Sequence, residues 1–289
     1  MTPSSKPYFF QPKDNPKKIS FSLPAMKTFV IGDIHGRCDQ LHAILDLVSR
    51  DEEENTLVFL GDLIDRGEDA PSVVETVLSL KKENPERVIC LRGNHEQMLL
   101  DCIDNGYGLW FTPSAGGWLT YQQYTGVPFL INSMEDFDNA VKLVSERIPK
   151  EHLDFFRSLP LFYEDDYAIY VHAGLEVGKH PKDCDEHTLL WSRNMDFFKN
   201  YKGKPCVFGH TPTPFLPFLG RVGKHGIYTS HCAIGIDTGY DETSPLTCLQ
   251  LPDFYLYQAF PNEHTEIFQL TSFISEPLRA IQRAIEAKA

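Results

Sequence analysis

The sequence predicts an α/β chain in which two mixed β-sheets pack as a sandwich flanked by helices, with one helical insertion. Three observations predict it. Between Lys27 and Ile103 a strand–loop–helix unit repeats three times, the pattern of βαβ units on a largely parallel sheet. After Pro160 the chain turns to short apolar runs with hairpin signals around Glu164-Asp165-Asp166 and Pro252-Asp253, which gives this half an antiparallel character. Between the two, residues 105–158 break the alternation.

Residues 1–26 are rich in Pro and Lys and lack periodicity. Such a segment is a poor basis for independent folding and is expected to be loosely ordered or to wrap the surface through Tyr8, Phe9 and Phe10. A domain is expected over residues 27–272. Thr28-Phe29-Val30-Ile31 reads as a buried strand, followed by Leu41, Ile44, Leu45 and Val48 at helical spacing. Leu57 to Leu60 opens the second unit, with Val73, Val74, Val77, Leu78 and Leu80 on its helix. Val88 to Leu91 opens the third, continued by Met98, Leu99, Cys102 and Ile103. The insertion carries Trp110, Phe111, Trp118, Tyr121 and Tyr124. Aromatics at this spacing read first as core, and second as a cap beside a site. Further strands are expected at Leu161–Tyr163, Tyr167–Val171, Cys206–Phe208, Cys232–Ile236, Leu246–Leu251 and Phe254–Phe260, and a last surface helix within 273–289.

The net charge of −13 argues against binding to a nucleic-acid polymer, whose affinity comes mainly from Lys and Arg. Residues 1–27 hold five Lys against one Asp, so the remainder is more acidic still and an anionic substrate needs a local cationic site. No run has the length of a membrane helix, and the start of the chain lacks the apolar centre of a signal peptide. The seven cysteines show no C-x-x-C spacing. Reduced, mostly buried thiols are therefore expected, in a soluble chain of the cytoplasm.

Three phrases stand directly after the first three strands: Gly32-Asp33-Ile34-His35-Gly36, Gly61-Asp62-Leu63-Ile64-Asp65-Arg66-Gly67 and Gly93-Asn94-His95-Glu96. His172 in Val-His-Ala-Gly and His210 in Phe-Gly-His-Thr follow later strands. In a parallel sheet, ligands gather at the carboxyl ends of strands. Carboxylates, imidazoles and an amide delivered there are a ligand set for two divalent cations. Asp33, His35 and Asp62 would take the first, and Asp62, Asn94, His172 and His210 the second, with Asp62 bridging. Each residue alone has a plainer role: a lone Asp caps a helix or forms a turn, and a lone buried His is hydrogen-bonded core. Five strand-end loops that all supply ligand types are hard to explain as independent capping.

This ordered set, over about residues 27–260, resembles the PPP family of metallophosphatases, including bacterial Ser/Thr protein phosphatases and the phage lambda enzyme. The resemblance implies the calcineurin-like αββα metallophosphoesterase fold. It places Asp33, His35, Asp62, Asn94, His172 and His210 on metal-ligand positions, His95 on the catalytic acid and Asp65 on its orienting partner. Arg66 and Arg193 fall on phosphate-binding arginines. Arg193 stands in Trp191-Ser192-Arg193, a context like the bacterial members, and the loop Asp241 to Pro245 departs from their glycine-rich pattern.

The expected function is a metal-dependent phosphoprotein phosphatase that hydrolyses phosphomonoesters of Ser and Thr, with Tyr as a further option, by in-line attack of a metal-bridging hydroxide. The expected cofactors are two divalent ions, Mn²⁺ first, with Fe or Zn²⁺ as alternatives. The expected partner is a phosphoprotein or phosphopeptide. A dinucleoside polyphosphate hydrolase of the diadenosine tetraphosphatase type shares most of these motifs, and Glu96 in place of Asp favours the phosphatase. The non-enzymatic alternative is a metal-stabilised phospho-binding scaffold, which usually lacks the acid or the bridging ligand.

Overall fold

In the computed structural model, residues 26–48, 55–217, 226–270 and 275–286 are described. The expected N-terminal extension, apart from Met26, lies outside them.

The first sheet begins with three parallel strands, β1 (Thr28–Ile31), β2 (Thr56–Phe59) and β3 (Val88–Cys90). Each is followed by a helix: α1 (Cys38–Leu47), α2 (Ala70–Glu83) and α3 (Asn94–Asn105). Asp69 caps α2, its carboxylate accepting the Ser72 amide at 3.0 Å, with Pro71 in the first turn. A short 3-10 turn (Gly108–Phe111) and three helices, α4 (Gly117–Thr125), α5 (Met134–Arg147) and α6 (Lys150–Ser158), fill the stretch expected to be a helical insertion.

The second sheet holds β4 (Phe162–Glu164), β5 (Ile169–Val171), β6 (Cys206–Phe208), β7 (Tyr228–Ser230) and β8 (Ala233–Gly235), in the order β4-β5-β6-β8-β7. Helices α7 (Glu186–Trp191) and α8 (Met195–Asn200) lie between β5 and β6 in sequence. Strands β9 (Leu246–Leu251), β10 (Tyr255–Ala259) and β11 (Thr265–Gln269) return to the first sheet, whose order is β11-β10-β9-β1-β2-β3. Helix α9 (Glu276–Glu286) ends the described chain.

Both sheets are mixed, and both expected hairpins form, β4 with β5 and β9 with β10. The second half is antiparallel at most of its pairings, as expected, but the sequence did not single out the parallel pairing of β5, β6 and β8 at the centre of their sheet. Strands β7 and β11 were also not expected.

Period-two alternation splits the core into layers. Phe29, Ile31 and Phe59 point to the helices of the first sheet, while Val30 and Val58 meet Tyr170, Val207 and Ile234 between the sheets. Ile169, Val171, Cys206 and Phe208 face outwards from the second sheet onto Phe197 and Phe198 of α8. With both faces covered, the strands read as continuous apolar runs. All seven cysteines are free, five of them buried, and no helix among the described residues is long and apolar enough to cross a membrane.

Candidate metal centre

Every expected ligand stands just past a strand end. Asp33 and His35 follow β1, Asp62 follows β2, Asn94 opens α3 after β3, His172 follows β5 and His210 follows β6. The sandwich therefore brings the carboxyl ends of two parallel strand groups to one place. Nine non-glycine residues among those described have positive φ, and His35, Asp62, Asp65, Arg66 and His210 are five of them. Such concentrated backbone strain marks loops shaped for a site and held by their surroundings.

The side chains form two groups that share Asp62. His35, Asp62 and His95 bring one ligand atom each within 4.8 Å of one another, and so do Asp62, His172 and His210. Asp62 Oδ2 lies 3.6 Å from His35 Nε2, and its Oδ1 lies 3.4 Å from His172 Nε2. The Asn94 amide oxygen is met by His172 Nε2 at 2.9 Å and by His210 Nδ1 at 2.7 Å. Asp33 Oδ2 accepts the His210 amide at 2.9 Å. Side chains from residue 33 to residue 210 thus lie around one place, with His95 grouped with His35 and Asp62, and Asp33 bonded to the His210 amide.

Hydrogen bonds set the imidazole tautomers. His35 Nδ1 and His172 Nδ1 each donate at 2.9 Å to a carbonyl, of Ile64 and Leu60 respectively, which leaves each Nε2 a lone pair for a ligand. Burial pushes the pKa of His35, His172 and His210 down, that of His210 to about 3. These rings are neutral, the form that binds metal. Burial opposes ionisation of Asp62, yet the four surrounding histidines pull its pKa below the usual aspartate range. For His95 burial acts downward, and the carboxylates of Asp62 and Asp65 prevail and raise it.

Three further carboxyls press on the centre. Burial, then Asp237 and Asp62, raise Asp33 well above its ordinary value. Burial raises Asp237 to about 7 with Arg37 acting against it, and burial raises Glu96 to about 7 with Asp62 adding to it. Packing this much acid in the interior is unfavourable without cations.

The residues fit a pair of divalent ions. Asp33 Oδ1 is buried with no hydrogen-bond partner. A Cβ on Gly209 would fall 2.0 Å from that atom, and one on Gly93 would fall 2.1 Å from Asp62 Oδ1, so both loops leave the carboxylates room that any side chain would fill. Oxygen and imidazole donors without thiolate suit Mn²⁺, Fe or Zn²⁺. Two ligand groups sharing Asp62 make this a dinuclear divalent-metal site.

Beside it, His95 Nδ1 lies 2.7 Å from Asp65 Oδ2. The Arg66 guanidinium spans the two imidazoles, Nη1 at 2.9 Å from His35 Nε2 and Nη2 at 3.0 Å from His95 Nε2. Arg193 is exposed, and its charge acts on His210. Arg37 and Arg92, which flank the motifs, serve the scaffold. Arg37 donates to the carbonyls of Asp33 and Ile34 at 2.6 and 2.8 Å, and Arg92 donates to Gln97 Oε1 and the Arg157 carbonyl at 3.0 and 2.8 Å. Sequence reasoning did not find the structural role of Glu96, whose carboxylate accepts the amides of Asp62 and Gly93 at 2.9 Å and of Leu63 at 2.8 Å. It thereby ties the second motif to the third. The signal was present, since a Glu three residues past a helix N-cap is a capping-box residue.

A family model described as calcineurin-like phosphoesterase matches residues 26–214. Serine/threonine-protein phosphatase 1 of Salmonella typhimurium is 37% identical over 189 residues, covering 64% of this chain and 78% of that protein. An asymmetrical bis(5'-nucleosyl)-tetraphosphatase of Anoxybacillus flavithermus is 24% identical over 249 residues, 78% of this chain and 90% of its own length. A Caenorhabditis elegans sequence described as a serine/threonine-protein phosphatase is 37% identical over 91 residues; the match spans 28% of this chain and only 25% of that protein. Among solved structures, one provisionally described as a diadenosine tetraphosphatase superposes with a TM-score of 0.55 at 17% identity, over 86% of this chain and 95% of its own. That likeness concerns the fold.

Proposed function

Because this chain belongs to the calcineurin-like phosphoesterase family, we propose that its dinuclear centre hydrolyses dinucleoside polyphosphates of the diadenosine tetraphosphate type. The observation that carries the reading is the meeting of two ligand groups on Asp62 beside the His95–Asp65 pair. The substrate class is supported by the tetraphosphatase relative, whose match takes in 90% of its length. It is also supported by Trp191, a half-buried indole whose ring stands near-perpendicular to that of His210 with centroids 6.3 Å apart, since nucleobases stack on aromatic side chains. This reverses the order in which the motifs alone rank the two substrates.

In the proposed mechanism Asp33, His35, Asp62, Asn94, His172 and His210 hold the ions, Mn²⁺ in the first instance. When bound, these supply Lewis acidity and a water acidified to near neutrality. Arg66 and Arg193 grip non-bridging phosphoryl oxygens with their planar forks. As Arg66 turns to phosphate it frees His95 Nε2, which takes up a proton from solvent, as the carboxylates of Asp62 and Asp65 favour, and passes it to the departing oxygen. Asp65, on Nδ1, keeps the ring in that orientation. We place this chemistry in a cytoplasmic domain of residues 27–272 with its insertion at 105–158.

A second reading, hydrolysis of phosphoserine and phosphothreonine on proteins, is favoured by the acid itself. An alkoxide needs a proton to leave, whereas a nucleotide phosphate leaves more readily without one. Glu96 and the 37% identity to the Salmonella phosphatase lean the same way. The metal-reconstituted protein assayed on diadenosine tetraphosphate beside a phosphopeptide panel is expected to prefer the nucleotide. Preference for the peptides establishes the second reading, and failure on both overturns the pair.

A further inference from the structure

Asp65 is fully buried and has partners besides the histidine it faces. Both of its carboxylate oxygens lie 3.0 Å from Trp110 Nε1, and Oδ1 accepts the Thr120 hydroxyl at 2.8 Å. The Thr120 oxygen in turn accepts the Asp65 amide at 2.9 Å. Trp110 and Thr120 are themselves 0% exposed. From these contacts we propose that Trp110 and Thr120 are positioning residues for the catalytic acid, so that the insertion takes part in the reaction through Asp65. The proposal rests on the phosphoesterase reading given above.

The chemistry of the donors carries the argument. An indole N–H donates and never accepts, so Trp110 turns both Asp65 oxygens into acceptors. His95 Nδ1 must then be the protonated nitrogen, which reserves Nε2 for the substrate. Thr120 acts on the main chain as well as the side chain. Asp65 and Arg66 have φ of 73° and 65°, the left-handed region that non-glycine residues avoid, and the bond from the Asp65 amide to Thr120 holds that turn. The fit of the insertion here leaves no slack. A Cβ on Gly117 would lie 2.4 Å from Trp110 Nε1, and one on Gly116 would lie 3.0 Å from Arg66 Cγ.

Leaving-group dependence separates a positioning role from a merely structural one. Thr120→Val and Trp110→Phe are each expected to lower kcat on phenyl phosphate about 10- to 100-fold with KM little changed, the usual range for a partner acting through a site residue. On 2,4-dinitrophenyl phosphate, whose phenolate departs without a proton, they are expected to keep the parental rate. Thr120→Ser, which retains the hydroxyl, restores phenyl phosphate turnover. Thr120→Val added to His95→Asn costs nothing further, since both act on one proton.

Equal losses on the two esters, or no loss on phenyl phosphate, overturn the proposal. A readout independent of turnover keeps it testable if the parent hydrolyses neither ester, the outcome for a hydrolase confined to the anhydride bonds of dinucleoside polyphosphates; only failure on those as well would fail the reading on which the proposal rests. The His95 Nδ1 proton, followed by NMR in the metal-free protein, is expected to be protected from solvent exchange in the parent and to exchange rapidly in Thr120→Val. Unchanged protection in that variant and in Trp110→Phe overturns the positioning role whatever the assays give.

Discussion

The two ligand groups that meet on Asp62 are held in different ways. Around His35 and His95 side chains predominate: the Arg66 guanidinium across both rings, the Asp65 carboxylate on His95, and Trp110 and Thr120 behind Asp65, beside the Ile64 carbonyl on His35 and the His95 amide on Asp62. Around His172 and His210 the main-chain contacts are alike, the Leu60 carbonyl on His172 and the His210 amide on Asp33, but the side chain that meets both rings is Asn94, with no second layer of the Trp110 and Thr120 kind behind it among the described residues. A backbone support is fixed by the sheet that carries it, while a side-chain support is set one residue at a time. The His172 and His210 side therefore reads as a rigid holder for metal, and the His95 side as the part tuned for proton transfer and phosphate.

The largest effect is expected where the two groups join. Asp62→Asn removes the carboxylate common to both, so turnover should fall below detection and elemental analysis should show loss of metal from both positions. Two ions retained at the parental content would mean that the groups do not share a bridge. A smaller effect is expected on the tuned side alone. His95→Asn should keep both ions and lose about 10²- to 10⁴-fold in kcat, the usual contribution of a general acid. Loss of one ion in that variant would move His95 into the ligand set, as its closeness to His35 and Asp62 permits, and the contrast between the sides would be gone.

How much of this the sequence disclosed follows the same division. The strand-end motifs were legible because three similar units each place a ligand phrase directly after an apolar run, and β1 falls on the residues expected of it, Thr28–Ile31. Strand β7 was missed because Tyr228-Thr229-Ser230 is short and polar. Strand β11 is a half-exposed edge with Glu266 and Gln269 in it, and an edge needs no apolar run. The parallel centre of the second sheet was hidden as well, since β5, β6 and β8 are joined by long crossovers while the hairpin signals beside them are local. The anchors of Asp65 come 45 and 55 residues later in the chain. Trp110 has the same spacing signal as any core aromatic, and only the contact with a buried carboxylate tells it apart.

The smallest effect concerns charge on the rigid side. Asp237 follows β8, its Oδ1 accepts the Gly239 amide at 3.2 Å, and burial raises its pKa to about 7 despite Arg37. In the unfolded chain it releases its proton near the ordinary aspartate value of about 3.9. Between those two values the folded metal-free protein holds a proton that the unfolded chain has lost, so the contribution of Asp237 to stability is full below about pH 4 and declines as pH rises through about 7. Histidines with lowered pKa slope the other way, so the parent alone does not isolate it. Asp237→Asn keeps the acceptor and removes the titration. Denaturation midpoints of metal-free parent and variant, measured from pH 5 to pH 8, should shift in favour of the variant as pH rises. Saturating Mn²⁺ should weaken that trend, because cations nearby make the ionised carboxylate favourable. A parent-to-variant difference that stays constant with pH would mean that Asp237 is ionised in the fold and that the rigid side is already neutralised without metal.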